Sequence, residues 1–238
     1  MIFKPKNNIE LKEAVNFWYF DKISANSKYG EINSWDTSLI EDMTGMFRNM
    51  KDFNDNISNW NVSNVKSMRS MFFKAEKFNQ NISNWDVSKV TDMRFMFDSA
   101  FNFNCNISKW NVSNVITMTC MFDLASSFNQ DISNWNLCKV YDMSGMFFGA
   151  EKFNQNISNW NVSNVIFMND MFRCAYSFNQ DISGWNVSNV IEMNYMFFDA
   201  KTFNQNISNW DIIKVISMVD IFRSTNMNKS IKQEIKSK

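Results

Sequence analysis

The chain is predicted to be an α/β solenoid. The expected form is a right-handed coil of about eight turns, with a parallel sheet of short strands on one face and short helices on the other. Three observations predict it. Eight of the nine tryptophans, Trp35, Trp60, Trp85, Trp110, Trp135, Trp160, Trp185 and Trp210, are spaced 25 residues apart with no insertion or deletion. Other residue types march in step: Met falls eight residues after each of these tryptophans (Met43 to Met218), and Phe twelve after (Phe47 to Phe222). Within each unit the apolar spacing changes from two to about three, the signature of a strand followed by a helix.

The unit from Ile57 to Asn81 gives the expected course of one coil. Trp60 and Val62 alternate and both point inward from a short strand, with Ile57 approaching the same face. Val65, Met68, Met71, Phe72 and Ala75 then form one stripe at helical spacing, with Ser63 and Asn64 as cap-type residues ahead of it. Phe78 folds back under the core, and Asn79-Gln80-Asn81 turns into the next strand. One coil cannot bury its Trp and Phe alone, so stacked neighbours must do so. Asn54, Asn79, Asn104, Asn129, Asn154, Asn179 and Asn204 each follow a core Phe, and read as an inward asparagine ladder holding the corners.

Composition narrows the function classes. Lys plus Arg equals Asp plus Glu, 24 against 24, so no net field draws the chain to nucleic acid or a membrane surface. There is no histidine, which removes the commonest general base and metal ligand. The acidic residues are scattered over outward phases, the serines have no base beside them, and no glycine-rich phosphate loop occurs; no catalytic, cofactor-binding or metal residue is assigned. Cys105, Cys120, Cys138 and Cys174 fall at different repeat phases without zinc-type spacing, and read as reduced thiols. Asp131 and Asp181 share a turn phase with asparagines, too few charges for a hard cation.

The string Trp-Asn-Val-Ser-Asn-Val-x-x-Met-x-x-Met-Phe-x-x-Ala-x-x-Phe-Asn-Gln-Asn-Ile-Ser has a leucine-rich-repeat rhythm. In this form it closely resembles the BspA-like repeat family of mycoplasma and other bacterial surface proteins, which also occurs in protists, algae and large DNA viruses. The resemblance covers residues 33–225. It implies a solenoid used for adhesion or protein interaction, with no catalytic residues to carry over.

Three segments are expected. Residues 1–32 form a capping helix and entry segment, with Asn7 or Asn8 capping a helix over 8–20 whose apolar residues are Ile9, Leu11, Ala14, Val15, Trp18 and Tyr19. Residues 33–225 form the repeat array. Residues 226–238 form a polar tail that frays, with Ile231 and Ile235 alone to cover the last coil. No apolar leader or bilayer-length apolar run occurs, so an intracellular place, viral or host cytoplasm, is expected over the cell surface.

The leading functional expectation is a non-enzymatic scaffold for protein–protein interaction, monomeric and without membrane insertion. Its candidate partner-binding residues are the outward aromatics Phe73, Phe95, Tyr141, Phe148, Phe167, Tyr195 and Phe198. Charged positions on the same face, among them Asp98, Asp123 and Arg173, read as solvation. The alternative is a surface adhesin that binds glycan or host matrix through flat Ser/Asn/Asp ladders on the strand face. There are ten Asn-x-Ser sequons, from Asn56 to Asn228, and many of them lie on or beside the packed strand, where a glycan would obstruct stacking.

Overall fold

Asn7 stops the entering chain and starts the first helix. Its side chain accepts the Glu10 N–H at 3.0 Å, while the Glu10 carboxylate takes the Lys6 N–H at 2.6 Å. In the computed structural model, which describes residues 2–236, this helix is α1, Asn8–Phe20. It buries Leu11, Ala14, Val15 and Trp18 over the first coil. A second helix, α2 (Lys22–Tyr29), follows at once because Asp21 caps it through the Ser24 N–H, and the sequence reading missed it. The carbonyl of Gly30, which ends α2, accepts the Trp35 indole N–H at 3.0 Å and so ties the entry segment to the first repeat tryptophan.

From Trp35 to Thr225 the described residues contain neither a helix nor an extended strand, and here the structure departs from the α/β expectation. The segment read as a helix is a run of β-turns. In the Trp60 coil, Met71 N–H bonds Met68 O, Phe73 N–H bonds Ser70 O, and Ala75 N–H bonds Phe72 O, all three residues back. The alternate donors leave the coil: Met68, Ser70, Phe72 and Lys74 donate to the carbonyls of Asp92, Arg94, Met96 and Asp98, at 2.8–3.0 Å. Two left-handed residues, Ser70 (φ 54) and Lys74 (φ 56), turn those donors toward the next coil and prevent an α-helix.

The pattern recurs in all eight coils. The tenth and fourteenth residues after each repeat tryptophan have positive φ, including Phe95 (58), Leu124 (54) and Tyr195 (56). Parallel bridges link Asp42, Ser67, Asp92, Thr117, Asp142, Phe167, Glu192 and Ser217 in one row, each 25 residues from the next. Coil-to-coil pairing therefore lies where a helix was expected. The expected strand at Trp60–Val62 is replaced by two tight turns, Trp60 N–H to Ile57 O and Val65 N–H to Val62 O. Side chains hold that edge together: Asn56 and Asn61 each accept the N–H two residues on, from Ser58 and Ser63.

Those turns give the Asn-x-Ser sequons a structural cause. The motif is an Asx turn, made by Asn or Asp on both sides of the repeat tryptophans from Trp60 to Trp210, with the sequon Asn exposed and its carbonyl oxygen engaged. Asp131 and Asp181 make the same turn with Ser133 and Ser183.

The core runs unbroken along the stack. Phe72, Phe97, Phe122, Phe147, Phe172 and Phe197 form one column with centroids 5.5–5.7 Å apart and nearly parallel rings. Each meets a second Phe of its own coil, as Phe147 meets Phe153 at 4.0 Å. The buried indoles are fixed in depth because each donates to the previous coil, for example Trp160 Nε1 to Ile132 O at 3.0 Å. Each coil's aromatic burial thus depends on both neighbours.

The asparagine ladder is present but lies at the surface, not inward. Asn79 N–H bonds Asn54 Oδ1, Asn104 N–H bonds Asn79 Oδ1, and the series continues to Asn204 at 2.9–3.0 Å. A bond between equivalent residues of adjacent coils needs only the 25-residue register, so burial is not required. At the far end the expected frayed tail is instead a helix, α3 (Lys229–Lys236), which buries Ile235 against the last coil together with Met227. Lys232 Nζ donates to the carbonyls of Phe222 and Thr225. Serine 237 and Lys238 of the expected tail lie outside the described residues.

Candidate partner-binding face

Because the coils stack without slippage, residues at one repeat phase form a column with roughly 4.8 Å between neighbours. Most columns are uniform. The outward column thirteen residues after each tryptophan is not: it reads Arg48, Phe73, Asp98, Asp123, Phe148, Arg173, Phe198 and Arg223. The positive-φ columns beside it vary as widely, with Gly145, Asp170 and Tyr195 in one and Leu124, Gly149 and Cys174 in the other.

Three of the seven predicted aromatics meet here. Phe148, Tyr195 and Phe198 surround the Arg173 guanidinium at 5.3, 5.5 and 4.9 Å from their centroids. Tyr195 and Phe198 touch edge to face at 6.0 Å, and Arg223 caps the far side of Phe198 at 5.4 Å. Arg173 is held by Asp170 at 3.1 Å. The expected apolar stripe is therefore a cation–aromatic cluster with its rings half-buried.

The remaining four stand apart. Phe73 packs under Arg48 at 4.5 Å and Lys74 at 5.2 Å. Phe95 lies half-buried in the positive-φ column. Phe167 stands in the row of parallel bridges and Tyr141, 41% exposed, in the column beside it; the Phe167 N–H reaches the Tyr141 carbonyl through the backbone.

Two charged residues assigned to solvation are in fact withdrawn from it. Asp98 is only 9% exposed, with the Ser99 hydroxyl donating to its Oδ1 at 2.7 Å. Asp123 Oδ1 is buried without a hydrogen-bond partner. Burial pushes both carboxyls up, and the Asp98 charge adds to the rise at Asp123, which reaches about 7. Burial also raises the Cys120 thiol, next to Asp123. The signal in the sequence was the column itself: two acids follow each other where Arg and Phe otherwise alternate.

All four cysteines are free and half-buried. Among the described residues no group of three His, Cys, Asp or Glu is placed to hold a metal ion, and no helix is long and apolar enough to cross a membrane.

The repeat frame places the chain among known families. The family model described as a Mycoplasma protein of unknown function, DUF285, matches residues 17–135 and 121–236. The chain belongs to the DUF285 family. No curated protein and no solved structure matches it. The two DUF285 matches overlap at 121–135, and the tryptophan register passes through that overlap unbroken, so this DUF285 chain is one continuous repeat protein.

Proposed function

We propose that the chain is a non-enzymatic repeat scaffold that binds a protein partner through the variable face, as members of the BspA-like repeat type would. The observation that carries this reading is the contrast between columns. Trp, Met, Phe, Ala and Asn repeat because each fills a fixed layer of the core or a fixed rung at its edge. The column from Arg48 to Arg223 changes residue class at almost every coil on that constant frame. Arginine and aromatic residues held in place by one another suit a protein interface, because little side-chain freedom remains to be lost on binding.

A photo-crosslinking residue placed at Phe148 or Phe198, and separately at exposed Asn59 or Asn84, tests the reading in native host cells. A discrete protein adduct is expected from the first pair and none from the second. Adducts from Asn59 and Asn84 alone, or from neither pair, overturn it.

A further inference from the structure

The face holds a depression of about 280 Å³. It is lined by Cys120, Asp123, Gly145, Phe148, Asn169 and Arg173, among others. Gly145 opens it: a Cβ there would meet Cys120 Sγ at 2.8 Å. Among the described residues, the buried side-chain polar atoms without a partner are Asp123 Oδ1 and Arg173 Nε, and both residues line this depression.

The acceptor is the informative one. Asp123 Oδ1 is buried with no hydrogen-bond partner, and the donor the site itself offers the carboxyl is the weak Cys120 thiol, so a stronger donor would be stabilising there. Its charged neighbours supply none: Asp98 and Asp170 both oppose its negative charge. Arg173 is occupied by Asp170 and three rings. On the other side Asp98, 9% exposed, is held by a serine hydroxyl. Two adjacent carboxylates in low dielectric attract a cation that brings several donors.

The chain itself indicates which cation. Along this column guanidinium groups lie over rings on either side of the acid pair, Arg48 over Phe73 at 4.5 Å and Arg173 over Phe148 at 5.3 Å. A planar guanidinium stacks on a ring face and forks onto carboxylates, which an ammonium does less well.

We propose that the depression beside Asp123 receives an arginine side chain of the protein partner, its guanidinium donating to the Asp123 carboxylate while the Asp98 charge in the neighbouring coil adds to the attraction. This rests on the scaffold reading and names the chemistry the partner must present.

The test uses the intact ¹⁵N-labelled protein and no partner. N-acetyl-arginine methylamide is titrated in, with the uncharged isostere N-acetyl-citrulline methylamide as control. Amide shifts are expected at Cys120, Asp123, Leu124 and Gly145, with a dissociation constant of about 1–10 mM, as suits one side chain without its protein. The citrulline probe should leave those amides unmoved, and Asp123→Asn should weaken binding at least about fivefold, the loss of one charged acceptor. No shift at these amides by about 50 mM probe, an equal response to citrulline, or undiminished binding by D123N overturns the proposal. Probe binding without crosslinks would retain the pocket and remove the scaffold reading; crosslinks without probe binding would do the reverse.

Discussion

The backbone N–H of Asn228 donates to Asn204 Oδ1 at 3.1 Å, and this bond ends the surface ladder that runs through every coil. In the earlier rungs the Asn side-chain oxygen accepts from the next coil. Asn228 uses its own Oδ1 for Ser230 instead, taking the N–H at 2.9 Å and the hydroxyl at 2.8 Å. The last rung is thus also the start of α3. With its acceptor engaged, Asn228 offers no site for another coil, and Ile235 covers the core beneath it. The opposite end is closed in kind, since Lys12 of α1 donates to the Met46 carbonyl at 2.7 Å.

A central rung tests whether the ladder bears on stability. Asn129 accepts the Asn154 N–H at 3.0 Å and the Gln155 amide at 2.9 Å. Asn129→Ala strands both donors and should cost about 1–3 kcal/mol, read as a lower urea midpoint. Asn129→Asp keeps the acceptor, so it should stay within about 1 kcal/mol of wild type at pH 7. Equal losses for both variants would mean that the amide, not the acceptor, matters.

Gly149 and Leu124 are predicted to be energetically coupled. Both have positive φ, 61 and 54, so left-handed geometry alone does not demand glycine in this column. Space presses on it: a Cβ on Gly149 would meet Leu124 Cδ2 at 2.7 Å, and Leu124, 39% exposed, must turn its end outward to make room. Gly149→Ala should destabilise by about 0.5–2 kcal/mol, from the left-handed backbone and this displaced side chain together. Leu124→Ser, the residue type found at Ser99 in the same column, should recover about 0.5 kcal/mol of that in the double mutant. An additive double-mutant cycle would place the cost in the backbone instead.

What the sequence made legible follows from the same geometry. The tryptophan register and the identity of nearly every core residue could be read directly, because inward positions repeat and apolar side chains must be buried somewhere. The elements could not. Apolar residues three apart satisfy a helix, but they equally mark the two ends of an i to i+3 turn, and here Met68–Met71 and Phe72–Ala75 are turns. The residues that decide the matter are left-handed at Phe95, Leu124 and Tyr195, side chains that give no local hint of positive φ. Carbonyls of the next coil hold them there, so the cause lies 24 residues away. The candidate face was half-legible for a related reason. Its aromatics stood out along the chain, whereas the Asp98–Asp123 pair shows only down a column.

Arg173 should organise the aromatic cluster more by its shape than by its charge. Arg173→Lys retains a cation for Asp170 but loses the planar group that lies near Phe148, Tyr195 and Phe198. A loss of about 0.5–2 kcal/mol is expected, with altered near-ultraviolet circular dichroism from Tyr195. Wild-type stability and an unchanged spectrum would reduce the pair with Asp170 to an ordinary surface ion pair.

Asp123 should make the protein less stable as pH rises from about 4 to about 7. Its folded-state pKa is raised to about 7, first by burial and then by Asp98. Between the unfolded value and that point the native state holds a proton that the unfolded state has released. Stability therefore falls with rising pH and levels off above the folded pKa. Asp123→Asn cannot ionise, so it should flatten this part of the profile and exceed wild type at pH 8 by roughly 1–3 kcal/mol, less than the full shift implies because water reaches part of the carboxylate. Asp98→Asn should produce a related but smaller change at Asp123, since it removes one opposing charge and leaves the burial. Urea midpoints at five pH values from 4 to 8 check this. Parallel profiles for wild type and D123N would show that water or a rearranged side chain already satisfies Asp123 in the free protein, which would also remove the unpartnered acceptor on which the arginine pocket depends.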